Sequence, residues 1–207
     1  MPFPSTNVLY DFTADENPLS STYWNIATGY VNVKALSGYG TPDSTPGAGA
    51  CALWKTQYPA NQEIGLILAT PPAAGGFLSM LFRSNSVTDY LQPGNVNYEV
   101  AWNVVDGLTD YVSLYRTSGG AATEIGTLIT INSLVAGDSL GARISGSTIE
   151  IWRNNVLLDS RTDATITGAG YIGLYFSDVV TRVDKFRGGD IDEAGMVAAG
   201  RMVMGCP

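Results

Sequence analysis

The chain contains no histidine, so the side chain that most often serves as acid, base or metal ligand near neutral pH is missing. Ser-His-Asp and Cys-His nucleophilic catalysis and His-ligated zinc are excluded with it. Carboxylates remain for hydrolytic chemistry. Retaining glycoside hydrolysis needs two of them about 5–5.5 Å apart, which alternate positions on one strand can supply. The nearest match is "GDIDEAG". Asp190 and Asp192 alternate there, but Glu193 is adjacent to Asp192 and would face the other way on a strand. The spacing fails, and the segment follows the last strand-like stretch, so the chain reads as a non-enzyme. Cys51 and Cys206 stand far apart and form no CxxC metal or redox motif; free thiols are expected.

Binding without catalysis asks for aromatic faces that stack on sugar rings and a few polar groups that fix hydroxyls. Trp54, Tyr58, Tyr90, Tyr98, Trp102 and Tyr111 could supply those faces, with Tyr115 beside them. Large aromatics on strands also bury area in cores, so most of this set is expected inside. In "YPANQEIG", Glu63 opens an apolar strand. It is expected to hydrogen-bond backbone donors or pair with an arginine, a structural role rather than a binding one.

Only 14% of the residues are charged, against about 25% in ordinary soluble domains, while 45% are hydrophobic and glycine is frequent. The balance favours many short strands and tight turns over solvent-facing helices. A formal charge of -8 repels phosphate backbones and anionic lipid, so neither nucleic acid nor a membrane is an expected partner. The start, "MPFPSTNVLYDF", has no basic region followed by an apolar run, and no stretch approaches the roughly 18 apolar residues of a membrane span. Synthesis and assembly in the cytoplasm are expected.

Elements that could position these groups are legible as strand-like segments: "NVLYDF", "YVNVKAL", "ACALWKTQ", "EIGLILAT", "GFLSMLFR", "NYEVAWNVV", "DYVSLYRT", "EIGTLITI", "DSLGARIS", "STIEIWR", "NVLLDSR", "GYIGLYF" and "TRVDKFR". Their close spacing predicts a sandwich or jelly roll rather than βαβ units. "ARISGSTIEIWRNNVLLDSR" reads as a three-strand meander, because Gly146 and the Asn154-Asn155 pair tolerate the positive φ of tight hairpins. Leu140, Ala142 and Ile144 should share one face with Ile149 and Ile151, while Arg143 and Glu150 point away. In "TGAGYIGLYF", Ile172, Leu174 and Phe176 are the expected core residues, opposite Tyr171, Gly173 and Tyr175. "GYGTPDSTPGAGA" and "RSNSVTDYLQPGNVN" read as loops. The last stretch, "DEAGMVAAGRMVMG", drops the period-2 pattern and predicts a short helix or tail over 192–207. As an inter-subunit arm it would bury Met196, Val197, Met202, Val203 and Met204.

Four segments, "VLYDFTADENPLSSTYW", "YPANQEIGLILAT", "VAGDSLGARISGSTIEIWRNNVLLDSRTD" and "GAGYIGLYFSDVVTRVDKFRGGDI", resemble in that order a family of concanavalin A-like domains widespread among tailed-bacteriophage structural proteins. The resemblance runs from about Val8 to Ile191. It implies an all-β fold: a two-sheet antiparallel jelly-roll β-sandwich over residues 1–191, with adjacent first and last strands. It also implies a virion structural protein, a capsid decoration or cement protein or a fibre or spike component acting by adhesion. Its partners would be the major capsid protein or other virion proteins, and symmetric virion positions make a homo-oligomer, such as a trimer, the expectation. The alternative is a lectin-like module for host surface glycans. No cofactor is required, but related sandwiches hold calcium near strand ends, and Asp11, Asp184 and Asp190 (or Asp192) could contribute to its six to eight oxygen ligands; pairing with Arg182 would occupy the same carboxylates.

Overall fold

The computed structural model describes residues 3–44, 49–88, 94–105 and 109–191. Sixteen strands lie among them. The first five are β1 (Val8–Tyr10), β2 (Trp24–Ile26), β3 (Val33–Leu36), β4 (Tyr39–Pro42) and β5 (Ala50–Trp54). Longer strands follow: β6 (Gln62–Thr70), β7 (Phe77–Ser84), β8 (Val96–Asn103) and β9 (Thr109–Ser118). Then come β10 (Ala121–Glu124), β11 (Ile129–Asn132), β12 (Ser139–Ser145), β13 (Thr148–Arg153), β14 (Val156–Thr162), β15 (Tyr171–Phe176) and β16 (Arg182–Asp190).

They form two eight-stranded sheets. One runs β14-β13-β12-β6-β16-β4-β3 with β1 on β16; the other runs β10-β9-β8-β7-β15-β5-β2 with β11 on β9. Every strand pair is antiparallel. The expected contact of first and last strands is present, with Val8 opposite Arg187 and Tyr10 opposite Phe186. The meander also forms as read: Arg143 opposes Glu150 and Ala142 opposes Ile151. Asn154 and Asn155 take φ of 53° and 63° in its second turn, a conformation asparagine tolerates better than most residues.

Three strands went unread. β2, β4 and β10 are three or four residues long, too short for a period-2 pattern to stand out. "YGTP" reads as loop from its Gly and Pro, yet β4 pairs with both β3 and β16. The ends of "RSNSVTDYLQPGNVN" likewise belong to β7 and β8. The tail residues Met196, Val197, Met202, Val203 and Met204, and Cys206, lie outside the described residues.

Between the sheets lies one large apolar core, including Ile64, Leu66 and Leu68 of β6, Leu78, Met80 and Phe82 of β7, and Ile172, Leu174 and Phe176 of β15. Trp24, Trp54, Tyr10, Phe12 and Phe186 close one region of it as an aromatic cluster, with Trp24 4.8 Å from Phe186 and 5.1 Å from Trp54 between ring centroids. Burying such rings removes large apolar areas from water, at about 25 cal/mol per Å².

Glu63 is fully buried on the face of β6 that points away from this core. Its carboxylate accepts bonds from the backbone N–H groups of Ser5 (2.6 Å) and Thr6 (2.9 Å), from both their hydroxyls, and from Nε (3.0 Å) and Nη2 (2.6 Å) of Arg143. The N-terminal segment is thereby strapped across the sheet. Phe3 stacks on Trp152 at 5.4 Å, with Arg143 over both rings, and Gly141 leaves the space that the Phe3 ring fills. The anchoring role expected for Glu63 is what the structure shows.

Asp138, also buried, holds the far end of the meander. It accepts bonds from Arg153 Nη2 (2.7 Å), Asn154 Nδ2 (2.7 Å) and the Val135 N–H (2.9 Å). Burial alone would raise its pKa, but the bonds from Arg153, Val135 and Asn154 outweigh it and hold the carboxyl below its ordinary value of 3.8.

Two outcomes follow. Glu63→Ala leaves a largely buried Arg143 without its close partner and frees the N-terminal strap, so denaturant unfolding should show a loss of about 3 kcal/mol or more; a loss within 0.5 kcal/mol, the range of an ordinary surface change, would contradict this anchor. For Asp138, a depressed folded pKa means a contribution present above about pH 4 and lost as pH falls through the lower folded value. Asp138→Asn should therefore cost about 1–3 kcal/mol at pH 7 and flatten the fall in stability below pH 4, as read from melting curves across pH.

Candidate functional site

At one end of the sandwich, Gln62 and Arg83 join both sheets to the loops that cross between them. Gln62, fully buried on β6, donates through Nε2 to the carbonyls of Pro59 (2.9 Å), Gly170 (2.9 Å) and Tyr58 (3.2 Å), and its Oε1 accepts the Arg83 N–H at 2.8 Å. Arg83 is 1% exposed and donates to the carbonyls of Ala60 (2.7 Å), Gly146 (2.7 Å) and Ile166. Three loops are thus tied to the end of β7.

Local backbone geometry aims Arg83 there. Tyr171 opposes Ser84 while Gly173 opposes Leu81, so β7 carries an extra residue against β15. Arg83, with φ at 45°, sits in that bulge, a device that redirects a side chain. The loop before β15 passes so close that a Cβ on Gly170 would strike the Arg83 backbone; only glycine fits at that position.

Beside this knot is a cavity of about 250 Å³ lined by Arg83, Asn85, Val96, Arg116, Ser118 and the loop 165–169. Its outer wall is held in place from below. The Tyr98 hydroxyl donates to Asp163 Oδ1 (2.6 Å) and accepts the Ile166 N–H (3.0 Å). Asp163 also accepts the Thr165 N–H (2.8 Å) and an Nη1 bond from Arg116, which in turn reaches Thr165 Oγ1 (2.8 Å). Burial pushes the Asp163 pKa up, but the bonds from Tyr98 and Thr165 and the charge of Arg116 outweigh that and hold it below the usual carboxylate value. The same burial and the Asp163 bond push the Tyr98 hydroxyl up, so the pair stays phenol and carboxylate near neutral pH.

The cavity offers Val96, Ile166 and Ala169 as apolar wall and Asn85, Arg116, Ser118, Thr165 and Thr167 as polar groups. That mixture of apolar surface with a few hydrogen-bonding groups is the make-up of a small-ligand site. One carboxylate, Asp163, buttresses it.

The aromatic residues singled out in the sequence do not converge on one surface. Trp102 is fully buried in the inter-sheet core and has no face for a ligand. Trp54 is also buried, its ring covered by Tyr23 stacked at 5.6 Å and 9°. Tyr98 belongs to the candidate site as a buttress of the cavity wall. Tyr58 exchanges backbone hydrogen bonds with Gly170 (2.9 and 3.0 Å) and lends its carbonyl to the knot. Tyr111, half-buried, stands opposite Asn103 on the outward face of the second sheet, away from the cavity. Tyr90 lies outside the described residues.

Of the carboxylates expected to share calcium, Asp184 and Asp190 are held apart along β16. Asp11 is exposed just past β1 and bonds Thr13; Asp184 caps the Lys185 N–H near the start of β16. Asp190 ends the same strand opposite Gln62, six residues and roughly 20 Å further along at the usual rise per residue. No group of three or more acidic or cysteine side chains suited to a metal occurs among the described residues. Cys51 is a buried free thiol, its pKa pushed up by burial.

Sequence reading missed Arg83, Asn85, Arg116, Ser118 and the 165–169 loop because they come from three separate stretches. One signal was available: an arginine ending the apolar run "GFLSMLF" in a chain with only 11 basic residues.

No protein-family model and no curated protein sequence matches the chain. Solved structures do. Carbohydrate-binding module CBM66 from Bacillus subtilis superposes with a TM-score of 0.56 at 15% identity, over 81% of this chain and 95% of that one. The Emp46p carbohydrate recognition domain gives 0.63 at 11% identity, over 92% and 98%. A Bacillus licheniformis β-glucanase gives 0.60 at 10% identity, over 84% and 94%. At these identities the likeness is one of fold: the chain is an antiparallel jelly-roll sandwich of the type shared by concanavalin A-like lectins, carbohydrate-binding modules and glucanases.

Proposed function

We propose that the chain is a non-catalytic carbohydrate-binding module whose site is the cavity under residues 165–169. The observation that carries this reading is the cavity itself, about 250 Å³ with apolar and hydrogen-bonding walls. It is slightly below the roughly 300–1,000 Å³ of sites for drug-sized ligands, a size suited to one sugar ring or the end of a glycan. The fold supports the reading, since similar structures include a carbohydrate-binding module and a carbohydrate recognition domain. Glucanases share the fold as well. Glycoside hydrolysis uses two flanking carboxyl groups, and the described lining offers one neighbour, Asp163, already committed to Tyr98, Thr165 and Arg116.

An adhesive role in a virion is the second reading. It rests on the sequence resemblance to phage structural proteins and on one structural feature: the edge strand β14 exposes Val156 at 60% and Leu157 at 43%. A sheet edge with open apolar side chains is suited to contact with another subunit. In that setting the module would sit on a capsid or spike as a homo-oligomer, with β14 as its contact.

A glycan array with the intact protein should give a selective set of hits. Thr167→Trp, which fills the cavity from an exposed position, should reduce binding to those hits at least tenfold while the melting temperature stays unchanged; a blank array would remove the carbohydrate reading. For the adhesive reading, light scattering should report an oligomer for the intact chain and a monomer for the Val156→Lys/Leu157→Lys double variant. A monomeric intact chain at high concentration would count against it.

A further inference from the structure

Charge around the cavity is unbalanced. Although the chain carries a formal -8, two guanidinium groups, Arg83 and Arg116, line this site. Asp163 forms its ion pair with Arg116. Arg83, buried, has carbonyl oxygens as its hydrogen-bond partners, and among the described residues no carboxylate lies within ion-pair distance of it. Carbonyl dipoles satisfy its donors without cancelling its charge, and an uncancelled buried charge is costly. Burial accordingly pushes the Arg83 pKa down.

Arg116 brings the means of contact. Its Nη1 is bound to Asp163 and Thr165, while Nε and Nη2 have no hydrogen-bond partner among the described residues, and its side chain is 26% exposed. A guanidinium with donors to spare presents a planar fork that matches a carboxylate. Around it stand Ser118, Thr165, Thr167 and Asn85 for hydroxyl groups, and Val96 and Ile166 for the face of a ring.

We infer that the cavity selects a sugar bearing a carboxylate, a uronate or sialate, with the acid group on the Arg116 fork and its negative charge balancing Arg83. The inference rests on the carbohydrate-binding reading and narrows it to acidic glycans. A carboxylate meets both the spare donors of Arg116 and the uncancelled charge of Arg83. Neutral hexoses would leave both the fork and the charge unmet.

The test is a ¹H–¹⁵N NMR titration of the full chain with sodium glucuronate, N-acetylneuraminate, methyl glucoside, the methyl ester of glucuronic acid, and sodium acetate. The acidic sugars should shift the amides of Ser118 and residues 165–169 saturably, and both neutral sugars should bind at least tenfold more weakly. Acetate, lacking the ring and hydroxyls, should also be at least tenfold weaker. Arg116→Gln should abolish the preference for acid over ester, and Arg116→Lys, which keeps the charge but loses the fork, should weaken acid binding several-fold. Should Arg116→Gln fail to fold, Ser118→Trp blocks the cavity without touching the ion pair and should remove the same shifts.

Equal affinity for acidic and neutral sugars at this cavity would overturn the charge selection and leave the carbohydrate reading standing. Acetate binding as tightly as the acidic sugars would overturn it too, marking a simple anion site. Shifts confined to the outward face of β8 and β9 would move the sugar site elsewhere and end the inference. No sugar binding at all, together with a blank glycan array, would remove the carbohydrate reading and the inference at once.

Discussion

The site end of the sandwich depends on one buried polar knot, in which Gln62 of one sheet accepts the backbone N–H of Arg83 from the other. A buried amide and a buried guanidinium are tolerable in an apolar interior only when their hydrogen-bonding groups are matched. Here the partners are carbonyls of residues 58–60, 146, 166 and 170. The requirement to satisfy two side chains therefore fixes three loops relative to both sheets. Hydrophobic burial between the sheets supplies the bulk of the stabilisation, but it is non-directional and would not specify where the 165–169 loop comes to rest.

From that loop the rest of the site follows. Ile166 turns its carbonyl to Arg83 and its N–H to Tyr98; Tyr98 then fixes Asp163, and Asp163 fixes Arg116. Each link is a hydrogen bond within the protein itself, so the cavity wall is assembled without a ligand. Preorganisation of this kind reduces the ordering cost of binding. A second polar anchor, Glu63, works on the opposite face of the same strand, where it fastens the N-terminal segment. Adjacent residues of one short motif thus serve opposite sides of a sheet, as the alternation of a strand requires.

Much of the fold was legible in the sequence because period-2 alternation and turn chemistry are local. The β12–β14 meander and the Ile172, Leu174 and Phe176 core face follow from neighbours within a few residues; the anchoring role of Glu63 could be read from its place at the start of an apolar strand, but its partners Ser5, Thr6 and Arg143 are distant in sequence. The site was less legible. Arg83 reads as the first residue of a polar loop until the bulge at β7 turns it inward, and a bulge depends on pairing with β15, a strand far away in sequence. Trp54 and Trp102 carry aromatic surface that a sugar could use, but alternation places them on inner faces. Asp184 and Asp190 share a strand and are separated by its length, so spacing in sequence overstated their chance of meeting.

The central claim is that a preformed, positively biased cavity at the Arg83–Gln62 knot holds an acidic sugar. A crystal structure of the chain with glucuronate tests it most directly. The account predicts sugar density under residues 165–169, its carboxylate on Arg116, and the hydrogen bonds of Gln62 and Arg83 unchanged. Density elsewhere on the sandwich, or a carboxylate turned away from Arg116 into solvent, would contradict it.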